Sequence, residues 1–135
     1  MDAQRQLLEV YALASGGDQD AYQWLLGFHG WCHRIDDHVD EKHEAAEVVD
    51  LCADAVVLCA SRFFASHSEA LAPAIASVAE QYRASLELKA PKLVDALRIA
   101  GNQVVLLVAY LRGGRPLMRE VSKRLWPIVE LTQLQ

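Results

Sequence analysis

Residues 36–54, DDHVDEKHEAAEVVDLCAD, hold the side chains of this chain best suited to chemistry. Asp36, Asp37 and Asp40 lie on one side of a possible tight turn, and Glu47, Asp50 and Asp54 on the other. Carboxylates stacked on facing helices repel one another unless a cation lies between them, so the pattern points to divalent-metal binding. The alternative is an acidic hairpin that simply faces water.

On a helical wheel with Asp36 at zero, His29, His33 and Asp40 fall within roughly 60° of it, and Asp37 flanks them at about 100°. Trp24, Leu25, Phe28, Trp31, Cys32 and Ile35 fill the neighbouring arc, so the His/Asp stripe borders the apolar face and is expected to look into a cleft. Glu47, Asp50, Asp54 and Ser61 share one face of the next helix. A hairpin turning near Glu41 to His43 sets Asp37 near Glu47, His33 near Asp50 and His29 near Asp54. The expected ligands are therefore Asp36, Asp37, Asp40, Glu47 and Asp50, with His33 beside them. Hard oxygen ligands suit Mg²⁺ or Mn²⁺. Asp54, left over, would orient a catalytic water. His38, His43 and His67 read as surface or turn residues.

Asp36-Asp37-x-x-Asp40 followed by Glu47-x-x-Asp50 resembles the two-part acidic signature of the all-α nucleoside triphosphate pyrophosphohydrolases of MazG type. The resemblance covers about 15 residues, with aspartate for glutamate in the first block and a shorter spacer. It implies a small oligomeric bundle, Mg²⁺ dependence, and cleavage of a nucleoside triphosphate to monophosphate and pyrophosphate, with those five carboxylates as ligands. The same Asp-Asp-x-x-Asp run is also similar to the first aspartate-rich motif of class I isoprenoid synthases, which hold a diphosphate through Mg²⁺. The second motif of that family is absent here.

A phosphorylated small molecule would also need cations. Asp95, Arg98 and Asn102 share a helical face, and Arg112 and Arg115 flank Gly113-Gly114. Arg98, Asn102, Arg112 and Arg115 are the candidate substrate-binding residues; internal pairing of Arg98 with Asp95 and a solvated basic face are the plainer alternatives. Residues 1–82 carry 4 basic and 14 acidic side chains, and residues 83–135 carry 9 and 4. An acidic half for cations and a basic half for anions suit such a substrate; a charge-dipolar surface used in self-association fits equally.

The elements that must position these residues read as helices throughout. Ala, Leu, Glu and Arg abound, and no two-residue alternation is sustained. Helices are expected over about 3–15, then from Asp18 as cap to about 40, 44–66, 68 or 73 to 88, 91–113, and from Pro116 onward with Pro127 kinking or ending it. The sequence thus predicts one all-α domain over residues 1–135, a bundle of five or six helices, with no linker or repeat.

A net charge of −5 argues against general nucleic-acid binding. The longest apolar run, Val104 to Leu111, is far short of a bilayer span, and the N-terminus does not read as a signal peptide, so a cytoplasmic protein without a membrane partner is expected. The three cysteines read as reduced small hydrophobes. An apolar fraction of 53% favours a large core or a homo-oligomer interface. The leading expectation is Mg²⁺-dependent hydrolysis of a nucleoside triphosphate or related diphosphate. Its rival is a non-catalytic helical protein that self-associates. A ferritin-like di-metal bundle would need Glu-x-x-His on two helices, and none is present.

Overall fold

The structure, a computed structural model, describes the backbone of residues 3–40, 45–88 and 93–133, and side chains over 3–38, 46–88 and 99–128. The described residues form six α-helices and no strand: α1 Ala3–Ala14, α2 Gln19–Asp40, α3 Ala45–Ala60, α4 Arg62–Ser66, α5 Ser68–Glu87 and α6 Leu93–Gln133. The expected all-α bundle is the fold observed.

Val10, Tyr11 and Ala14 bury one face of α1, which stops at Gly16 and Gly17. Both glycines have positive φ, 57° and 84°, where a side chain is strained. Asp18 then caps α2, its Oδ1 accepting from the backbone N–H groups of Asp20 (2.9 Å) and Ala21 (3.2 Å). Arg112 of α6 donates to the other carboxylate oxygen at 2.8 Å, so this turn is tied to the far end of the sequence.

The helix expected over 44–66 is broken at Ser61. Ser61 adopts an extended conformation and its hydroxyl accepts from Phe64 N–H at 3.0 Å, an N-cap that starts α4. The break turns Phe63 and Phe64 inward, where both pack on Trp24. Ser61 therefore belongs to a cap and not to the acidic face of α3. Leu88 caps α5 at its C-terminus, as expected, and Pro73 lies inside that helix.

The two helices expected on either side of Gly113-Gly114 are joined in α6 by a kink. Gly114 has φ 67° and ψ −162°, a conformation open mainly to glycine. Before the kink α6 buries Ala100, Val104, Val105, Val108 and Ala109; after it, Val121, Leu125 and Ile128. It packs most extensively against α1 and α5.

The core draws on α1, α2, α4, α5 and α6. Helix α3 contributes no buried side chain among the described residues. It touches α2 and α4 and leaves Val48, Val49, Val56 and Val57 44%, 67%, 68% and 68% exposed.

Candidate functional site

Helices α2 and α3 form the expected antiparallel pair. Trp24, Gly27, Trp31, Arg34 and His38 of α2 recur at intervals of three and four, the spacing of a coiled-coil seam. The indole N–H of Trp24 donates to the Leu58 carbonyl at 3.2 Å, and that of Trp31 to the Leu51 carbonyl at 2.9 Å. Gly27 allows the close approach, since a Cβ there would lie 2.9 Å from the Leu58 side chain. Farther along, His38 Nδ1 is 3.7 Å from a Glu47 carboxylate oxygen.

This register brings Asp37, Glu47 and Asp50 around one open groove of about 150 Å³, completed by Arg34 and Leu51. Asp37 and Glu47 come together across the hairpin, as the spacing predicts. Arg34, and not His33, lines the groove with Asp50. Arg34 also forms an ion pair with Asp54, so the carboxylate expected to orient water is engaged by a guanidinium. Arg34 thus places a side-chain cation between the two acidic helices.

Successive helical residues point about 100° apart, and this separates Asp36 from Asp37. Asp36 turns toward α5 and accepts a hydrogen bond from the Tyr82 hydroxyl at 3.1 Å. His29, on the same stripe, is 2.8 Å from the Tyr11 hydroxyl of α1. The His33 ring packs edge-on against His29, centroids 4.4 Å apart, away from the groove. His29 and Asp36 of the His/Asp stripe border the core as the wheel predicts, but they face α1 and α5 instead of α3. Burial raises the Tyr11 hydroxyl pKa well above its ordinary value, with nearby Cys32 adding to the effect. Burial also pushes the Cys32 thiol up to about 12. Cys52 and Cys59 are exposed.

Of the remaining expected ligands and substrate contacts, the side chains of Asp40, Asp95 and Arg98 lie outside the described residues, as does the turn at 41–44. Asn102 is half-buried on α6. Arg112 pairs with Asp18 and Arg115 is exposed, so Arg112 serves as a tie between α6 and the α2 cap. His38, expected on the surface, is half-buried opposite Glu47.

No family model, curated protein or solved structure matches this chain. Its chemistry therefore rests on its own geometry. Among the described residues no three of His, Cys, Asp and Glu are grouped so as to hold a metal ion. The described carboxylates expected at the site divide three ways: the ligand Asp36 goes to Tyr82, the water-orienting Asp54 to Arg34, and the ligands Asp37, Glu47 and Asp50 to the groove. Arg34 was legible in principle. The same hairpin register that pairs Asp37 with Glu47 sets Arg34 in the groove with Asp50. No helix among the described residues is long and apolar enough to cross a membrane.

Proposed function

We propose that this chain acts by self-association, with α3 as its contact helix. The supporting observation is the position of α3: it is rich in valine, alanine and cysteine, yet Leu58 alone of its described side chains packs against the core, half-buried, and four valines are exposed. Contiguous apolar surface on this scale is uncommon on a monomer and marks an interaction site. The acidic residues on the α2 side of α3 meet Arg34 and His38, so they support the hairpin and leave the opposite side uncharged. Sedimentation of the intact chain over roughly 1–100 µM, a range that spans common homodimer affinities, tests the reading. A mass that rises with concentration supports it; a single-chain mass throughout contradicts it.

A second reading is Mg²⁺- or Mn²⁺-dependent hydrolysis of a phosphorylated small molecule at the α2–α3 groove, with a nucleoside triphosphate or other diphosphate as substrate. It is favoured by the convergence of Asp37, Glu47 and Asp50 on that groove. An ion there would draw on these carboxylates, which in this arrangement are not grouped closely enough to hold one, and when bound it would supply Lewis-acid polarisation of a phosphoryl oxygen. Arg34 lines the same groove while its Nη1 pairs with Asp54. Calorimetric titration with Mg²⁺ and Mn²⁺ decides it: binding lost in Asp37→Asn and Asp50→Asn supports the site, and no binding to the intact chain rejects it.

A further inference from the structure

We infer that the outer face of α3 pairs with the same face of a second copy, antiparallel, about a two-fold axis passing between Cys52 and Ala53. This rests on the self-association reading and adds the partner, the surface and the orientation.

The first observation is a repeat that composition conceals. Residues 46–52 read AEVVDLC and residues 53–59 read ADAVVLC. Four of the seven positions are identical and a fifth is acidic in both, so the helix carries two consecutive heptads. Strict seven-residue periodicity on a helix is the pattern of pairing with another helix. The repeat has two seams. Leu51 and Leu58, with the acids Glu47 and Asp54, face α2. Val49, Cys52, Val56 and Cys59 recur at intervals of three, four and three on the other side, flanked by Ala46, Ala53 and Ala60. Val49, Cys52, Val56 and Cys59 are all exposed, as are the three alanines. One heptad seam is filled by α2 and the other is open.

The second observation is exposure. Val49 and Val56 on this face are 67% and 68% exposed, and Val57 at its edge 68%, and contiguous exposed apolar side chains rimmed by polar ones mark an interaction surface. Alanine at every seventh position lets two backbones approach near the lower end of the 8–10 Å or so usual between packed helices.

Charge selects the partner and the direction. The open face carries no charge, so it is complementary to itself, as a two-fold interface requires. The acids Glu47, Asp50 and Asp54 on the rest of α3 disfavour an anionic lipid surface. Parallel pairing would align the two helix dipoles; antiparallel pairing opposes them. Val49 then packs against Val56 of the other copy, and Cys52 faces its own equivalent.

Two single-thiol-face variants of the full chain test the arrangement, Cys59→Ser and Cys52→Ser, each treated with a short bismaleimide. Antiparallel pairing leaves the two Cys52 side chains adjacent but separates the two Cys59 positions by about 20 Å along the axis, at 1.5 Å per residue. Cys59→Ser should therefore form covalent dimer at least about tenfold faster than Cys52→Ser, because the paired thiols see each other at millimolar effective concentration. Val56→Glu in the Cys59→Ser background should abolish the cross-link with the helical circular dichroism unchanged. Equal cross-linking of both variants overturns the antiparallel axis. A dimeric mass with neither variant cross-linking overturns the α3 surface and leaves self-association standing. A single-chain mass overturns both.

Discussion

Helices α3 and α6 are both apolar, and they meet opposite fates. In α6 the run from Ala100 to Ala109 places Val104, Val105 and Val108 in the core, each no more than 2% exposed. In α3, Val49, Val56 and Val57 are about two-thirds exposed. Composition would favour burial of α3, the more apolar of the two. Arrangement reverses this: α6 lies between α1 and α5, whereas α3 has α2 on one side and short α4 at its end. Apolar content creates the need for a partner, and topology decides whether that partner is within the chain.

The contrast predicts a graded series. The largest effect should come from Val108→Asp, which buries a charge at a position with no exposure. It should cost on the order of 4 kcal/mol or more and leave the chain largely unfolded in urea titration. Asp18→Ala removes both the α2 cap and the partner of Arg112. It should lower stability by about 1–2 kcal/mol, mostly through the cap, because the ion pair is partly exposed and screened. Tyr82→Phe removes a hydrogen bond to Asp36 and should cost about 1 kcal/mol. The smallest effect on the protomer should come from Val56→Glu, within about 0.5 kcal/mol in dilute solution, since the side chain is already exposed. If Val56→Glu destabilised the isolated protomer as strongly as Val108→Asp, the contrast between the two helices would collapse.

Much of the fold was legible because helix punctuation is local. Gly16-Gly17, the Asp18 cap and the break at Gly113-Gly114 all stand where the residues indicate. Ser61 was missed because a serine inside an alanine-rich run reads as helix until Phe63 and Phe64 must both be buried. The candidate site was half legible. Hairpin register follows from counting, so Asp37 met Glu47. The direction of each stripe depends on which helices pack on α2, and only the tertiary contacts of Tyr11 and Tyr82 reveal that His29 and Asp36 face away from α3. The outer heptad seam was in the sequence all along. It stands out only once α3 is seen to keep its valines out of the core.

The central claim is that the exposed valines of α3 are covered by another copy. Light scattering of the wild-type chain and of Val56→Glu, at matched concentrations near 100 µM, where a micromolar dimer would be almost fully formed, tests it most directly. Wild type should have twice the 15.0 kDa mass of one chain, and Val56→Glu one chain mass with unchanged helical content. A single-chain mass for the wild type, or an undiminished dimer in the variant, would contradict it.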